Sequence, residues 1–107
     1  MVAQSPNDPI LKRLRAALDE MYGDRLERVV LFGSRARGDA HEDSDYDVAV
    51  FLRDMADRWQ AFDRLADLST DILDKTGEFI HAIAYPAGSH EDRTSLMREI
   101  RHEDVDL

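Results

Sequence analysis

Three features that bear chemistry fall within a short stretch of the sequence: Gly33-Ser34, Gly38, and Asp45-Tyr46-Asp47. Side chains of a strand alternate between its faces, so residues two apart project together. Asp45 and Asp47 at the head of a strand therefore stand side by side, and adjoining carboxylates repel unless a cation lies between them. Oxygen donors suit Mg²⁺, which completes its shell with water and substrate phosphates. Gly33-Ser34 supply the complementary half. Glycine lets a backbone approach a phosphate closely, and a following helical turn aims its N–H groups at it. The Ser34 hydroxyl adds a donor, while Arg35 and Arg37 bring positive charge to an acidic neighbourhood. A Gly-Ser pair by itself is most often a plain turn, and Asp-x-Asp a solvated corner. The combination, with a strand before the glycine and another after the aspartates, points to nucleotide chemistry.

The flanking sequence supplies the elements that must position these residues. Ile10, Leu11, Leu14, Ala17, Leu18 and Met21 recur at helical spacing and predict a helix over Pro9 to Tyr22. Asp8 is its N-cap, Pro9 its first residue and Gly23 its stop. Arg28 to Phe32 is a short apolar run ending at Gly33, read as a strand covered on both faces. A helical turn is expected over Ser34 to Arg37, a polar loop from Gly38 to Asp43, and a second strand from Tyr46 to Leu52. A long helix is expected from Ala56 to Lys75, with Trp59, Phe62, Leu65, Ala66, Ile72 and Leu73 on its core face and Gly77 ending it. Phe79 to Tyr85 reads as a third strand, and Thr94 to His102 as a last helix contacting the core through Leu96, Met97 and Ile100. The order α-β-turn-β-α-β-α predicts an α/β (α+β) fold with one small sheet flanked by helices.

The chain of 107 residues is the size of one domain, assigned to residues 9–107 after a flexible N-terminus at 1–8. A domain this small buries a modest share of its surface, which favours a docked partner or a homodimer. Its formal net charge of −9 opposes binding to bulk nucleic acid, because polyanion affinity is built on basic residues. Cysteine is absent, so disulfides and thiolate metal sites are excluded. No apolar run reaches the roughly 18 residues that span a bilayer, and no signal-peptide pattern opens the chain, so a cytoplasmic location is expected.

Leu31-Phe32-Gly33-Ser34-Arg35-Ala36-Arg37-Gly38 followed by Ser44-Asp45-Tyr46-Asp47 resembles the signature of the minimal nucleotidyltransferases (MNT) of the DNA polymerase beta-like superfamily. The resemblance extends over about residues 9 to 102 and is to the antitoxin type of this family. It implies a mixed sheet flanked by helices, two Mg²⁺ ions, and transfer of a nucleoside monophosphate from ATP or another NTP to an acceptor hydroxyl. Gly33, Ser34, Arg35, Arg37 and Gly38 would then hold the triphosphate, and Asp45 and Asp47 the metals. The family places a third carboxylate on a later strand. Here that strand carries His81, with Phe79, His81 and Ile83 on one face and Glu78, Ile80 and Ala82 on the other. Three readings stand: His81 acts as base or metal ligand, Glu78 substitutes from the strand's edge, or the second metal is held weakly. His41, Glu42 and Asp43 read as a solvated loop, and His90 and His102 have no metal-site spacing.

The resemblance further implies a helical HEPN-type partner protein as acceptor, in a toxin–antitoxin pair. The alternative is a nucleotide-binding module that neutralises its partner by contact. An aminoglycoside-type enzyme is disfavoured because it would carry an additional helical domain, and a polymerase because no basic groove is evident.

Overall fold

The structure, a computed structural model, describes residues 8–33, 46–55 and 57–107, apart from the side chain of Glu103. Helix α1 spans Pro9–Tyr22 as the sequence predicts. The Asp8 carboxylate accepts from the N–H groups of Ile10 at 2.8 Å and Leu11 at 3.4 Å, two donors that the first helical turn cannot satisfy itself. Gly23 ends the helix at φ +52, its N–H donating back to the Asp19 carbonyl. Leu11, Leu14, Leu18 and Tyr22 form the buried stripe.

Among the described residues four strands make one sheet: β1 (Leu26–Phe32), β2 (Tyr46–Leu52), β3 (Ile80–Pro86) and β4 (Val105–Asp106), in the order β3-β2-β1-β4. β1 runs antiparallel to β2 and β4, whereas β2 and β3 are parallel. The sheet is therefore mixed, as expected. A parallel pair needs a crossover, and helix α2 (Arg58–Thr76) supplies it. Asp57 caps the start of α2 by accepting from Gln60 N–H at 3.0 Å, and Gly77 ends it in the left-handed conformation at φ +79. Helix α3 covers Ser95–Glu103, with the Thr94 hydroxyl accepting from Met97 N–H.

The sheet has a core on each face. Tyr46, Val48, Val50, Leu52 and Ile80 join Val29 and Leu31 against α1 and α2. On the opposite face Val30, Ala49 and Phe51 pack with Met97 and Ile100 of α3. Strand alternation separates the two sets, so each apolar strand is covered on both sides.

Three expectations are corrected. Trp59 and Phe62 are not core: they stand 79% and 64% exposed. The buried line of α2 is Ala61, Leu65, Ser69 and Ile72, and Ala66 and Leu73 are also exposed. A 19-residue helix offers apolar residues around more of its circumference than one small sheet covers, and the surplus faces outward. Leu96 is likewise 45% exposed, leaving Met97 and Ile100 to anchor α3. Finally, β4 adds a short strand where the sequence shows no strand pattern. It is held by Leu107 N–H donating to the Val29 carbonyl and by Arg15 Nη1 donating to the Leu107 carbonyl. Just before it, Asp104 Oδ2 lies 2.6 Å from Nε2 of buried His90, whose ring sits edge-on to Phe51.

Candidate active site

The site forms where β1, β2 and β3 lie side by side. In the sheet register Asp47 has Phe32 opposite it on β1 and His81 opposite it on β3. Residues paired across a sheet share a face, so Asp47 and His81 project together. They lie on the side of Ala49 and Phe51, but whereas α3 buries those two, the Asp47 and His81 side chains keep 35% and 58% of their surface exposed.

Gly33 follows β1 directly and turns the chain at φ +78, a conformation that glycine adopts without strain. A side chain there would also meet Asp47: an ideal Cβ on Gly33 falls 2.6 Å from Asp47 Oδ2. The glycine is thus needed twice, for its backbone angle and for the room that it leaves the carboxylate. The two oxygens of Asp47 are divided accordingly, with Oδ2 toward Gly33 and Oδ1 toward His81. Oδ1 lies 3.7 Å from His81 Nδ1, too far for a hydrogen bond but within ion-pair range of an imidazolium.

Tyr46, between the two aspartates of the motif, points the other way and is buried. Its hydroxyl donates to Asp8 Oδ2 at 3.2 Å, the carboxylate whose other oxygen caps α1. Tyr46 N–H also donates to the Phe79 carbonyl at 3.2 Å, extending the join between β2 and the chain entering β3. One buried tyrosine therefore fixes the start of β2 to α1 and to the segment carrying His81. Period-two alternation shows that Tyr46 faces away from Asp47, but its partner is 38 positions distant and no spacing rule reveals it.

Of the residues singled out in the sequence, the structure brings together Gly33, Asp47 and His81. Ser34, Arg35, Arg37, Gly38 and Asp45 lie outside the described residues, as do the expected helical turn, the loop with His41, Glu42 and Asp43, and residues 1–7. Glu78 precedes β3 and is outside its ladder, with its N–H donating to the Thr76 hydroxyl at 3.1 Å. On β3 the ladder partner of Asp47 is His81. His102 is exposed on α3.

A left-handed glycine thus packs on a strand-head aspartate within a mixed sheet flanked by helices, and comparison with known proteins identifies the class of this framework. Residues 11–103 match the family model described as nucleotidyltransferase domain, and the chain belongs to that family. It is 40% identical over 73 residues to "Putative protein adenylyltransferase MJ0604" of Methanocaldococcus jannaschii, covering 68% of this chain and 67% of that protein. It is 44% identical over 46 residues to "Putative protein adenylyltransferase MJ0141" of the same organism, covering 43% of this chain and 46% of that protein. The chain thus spans about half the length of the latter. Among solved structures it is similar to a toxin–antitoxin crystallised with AMP-PNP, at TM-score 0.64 and 20% identity, covering 89% of this chain and 69% of that one. The structure of "a putative nucleotidyltransferase from Sulfolobus solfataricus" matches at TM-score 0.56 and 19% identity, covering 91% of this chain and 75% of that one. At these identities the structural matches establish the fold.

Proposed function

We propose that this domain transfers AMP from ATP to a hydroxyl group on a partner protein, as the antitoxin of a HEPN/MNT toxin–antitoxin pair. The observation that carries this reading is the placement of Gly33, Asp47 and His81 at one sheet end, in a chain of the nucleotidyltransferase family. The names of the two Methanocaldococcus relatives support AMP as the group transferred, and the toxin–antitoxin neighbour supports a protein partner. The exposed pair Trp59 and Phe62 supports one too, since large aromatic side chains left in solvent mark binding surfaces. The reaction belongs to the cytoplasm, where ATP is supplied.

In this reading Gly33, Ser34 and Gly38 bring backbone close to the triphosphate, and Arg35 and Arg37 offset its charge. Asp45 and Asp47 hold divalent cations, Mg²⁺ foremost. Among the described residues Asp47 supplies the oxygen donor that suits such an ion, and the His81 imidazole lies 3.7 Å from it on the same face. When bound, the cations neutralise phosphate charge and polarise the reacting phosphorus. The acceptor oxygen bonds to the α-phosphorus as the bond from that phosphorus to the bridging oxygen of the β-phosphate breaks. Pyrophosphate leaves with that oxygen. The hydroxyl proton passes to solvent, which reaches the site because Asp47 and His81 are both open to it.

His81, where the family has a carboxylate, favours one other reading: a module that holds nucleotide and neutralises the partner by contact. ATP labelled at the α- or the γ-phosphorus separates the two. Label moving to the partner from the α-position only, and lost in Asp45→Ala/Asp47→Ala, supports the transferase. Neutralisation that survives the double substitution without label transfer supports the contact module.

A further inference from the structure

We propose that the outer edge of β3 is the acceptor dock: an extended segment of the partner protein, alternating apolar and hydroxyl-bearing residues, pairs with it as a fifth strand. The proposal rests on the transferase reading and says how that site receives its acceptor.

The edge itself is the first ground. Two hydrogen bonds fix which way the main chain of β3 faces: Tyr46 N–H donates to the Phe79 carbonyl, and Ala87 N–H to the Leu52 carbonyl. Odd-numbered residues from 79 to 87 therefore turn toward β2, while Ile80, Ala82 and Ala84 turn their N–H and C=O groups outward. Pro86, next in that outward series, has no N–H to offer, which suits an edge. β3 is last in the sheet order, and among the described residues no strand lies beyond it. Proteins blunt exposed edges with charge or by keeping them short. β4, at the other edge, has two residues, and its Asp106 is paired with Arg28. β3 has seven residues and not one Asp, Glu, Lys or Arg among them. One edge is guarded, and the other is left ready to pair.

The groove beside it is the second ground. A cavity of about 430 Å³ is lined by Met55, Trp59 and Phe62 together with Ala82, Ala84 and Pro86 of β3. Ala82 and Ala84 project on the α2 face of the sheet, so an incoming strand lays every second side chain toward this groove. Its other side chains project on the face of His81 and Asp47. The residue opposite His81 then stands two strands from Asp47, about 10 Å between backbones. Apolar side chains anchor the segment, and a hydroxyl between them points to the site. A helix cannot take this place, because its N–H and C=O groups are spent internally. A second copy of this chain is opposed by charge, since each copy carries −9.

The test uses the whole chain and the capped peptide Lys-Val-Ser-Val-Tyr-Val-Thr-Val-Lys, which alternates apolar and hydroxyl residues. Amide hydrogen exchange read by nuclear magnetic resonance should slow about tenfold or more at Ala82 and Ala84 when the peptide binds. With ATP and Mg²⁺ the peptide should gain AMP, read by mass. Ala82→Pro removes an outward N–H and leaves the ladder to β2 whole. It should weaken peptide binding about tenfold or more while AMP-PNP binding is kept. Trp59→Ala/Phe62→Ala should weaken it by a similar factor and decides the matter if the proline disturbs the strand. A peptide that does not bind, binding without slowed exchange, or affinity unchanged in a folded variant overturns the proposal. So does a dimer in sedimentation whose Ala82 and Ala84 amides are protected without peptide, which would make a second copy the occupant. In each of these cases AMP transfer to the partner protein still upholds the transferase reading. If the peptide pairs but neither it nor the partner gains AMP, that reading falls, and the acceptor role of the edge with it.

Discussion

The carboxylate of Asp47 occupies the space that a side chain on Gly33 would take, with Oδ2 only 2.6 Å from where a Cβ would lie. The glycine at the end of β1 and the aspartate at the head of β2 are thus one steric unit, and Gly33 also holds φ +78. Gly33→Ala meets both constraints. It is expected to cost about 1–2 kcal/mol in urea unfolding from the left-handed backbone, with displacement of Asp47 adding to that. AMP transfer should fall more than the loss of stability explains, because the carboxylate is pushed from its place.

Asp45→Asn/Asp47→Asn removes negative charge while keeping side-chain shape. The fold should be retained, or slightly stabilised by relief of carboxylate repulsion, as read by thermal melting. If these carboxylates hold the cations, as proposed, transfer from ATP should fall by about a thousandfold or more through the lost stabilisation of several kcal/mol.

The Tyr46–Asp8 contact ties the site strand to α1. Asp8→Ala should destabilise by about 1–2 kcal/mol, through the lost cap and the hydrogen bond from Tyr46. Tyr46→Phe should cost about 1 kcal/mol. The two losses should not add, and a double-mutant cycle in urea measures the shared part.

Trp59→Ala/Phe62→Ala tests the outward face of α2. Both side chains are mostly in solvent, so the melting temperature should change little. Binding to the partner protein, measured by calorimetry, should weaken by about 2 kcal/mol or more if these aromatics anchor it. Unchanged affinity would place the interface elsewhere.

Tyr22 offers a test of packing away from the site. Its hydroxyl is buried without a hydrogen-bond partner among the described residues, and burial pushes its phenol above the usual range. Tyr22→Phe removes an unmet polar group and should leave stability unchanged or raise it by up to about 1 kcal/mol in urea unfolding.

How much of this was legible in the sequence depends on whether the governing interaction is local. Asp8, Pro9 and Gly23 bound α1 because capping is a matter of neighbouring residues, and the structure keeps those limits. Alternation put His81 and Ile80 on opposite faces of their strand, and the structure keeps that division, with Ile80 buried and His81 exposed. Trp59 and Phe62 show the opposite case. Their spacing is helical and apolar, but burial depends on how much sheet lies beneath α2, which spacing does not encode. β4 was illegible because Val105 and Asp106 pair with Leu31 and Val30, over seventy residues earlier. The carboxylates around His90 come from Glu91 and from Asp104, the latter supplied only when the chain returns beyond α3.

The central claim is tested most directly by the intact mass of the partner protein after incubation with ATP, a divalent cation and this domain. A gain of one or more AMP units with wild type, abolished by Asp45→Ala/Asp47→Ala, is the expected result. A partner neutralised at unchanged mass, equally by wild type and the double variant, would contradict the account.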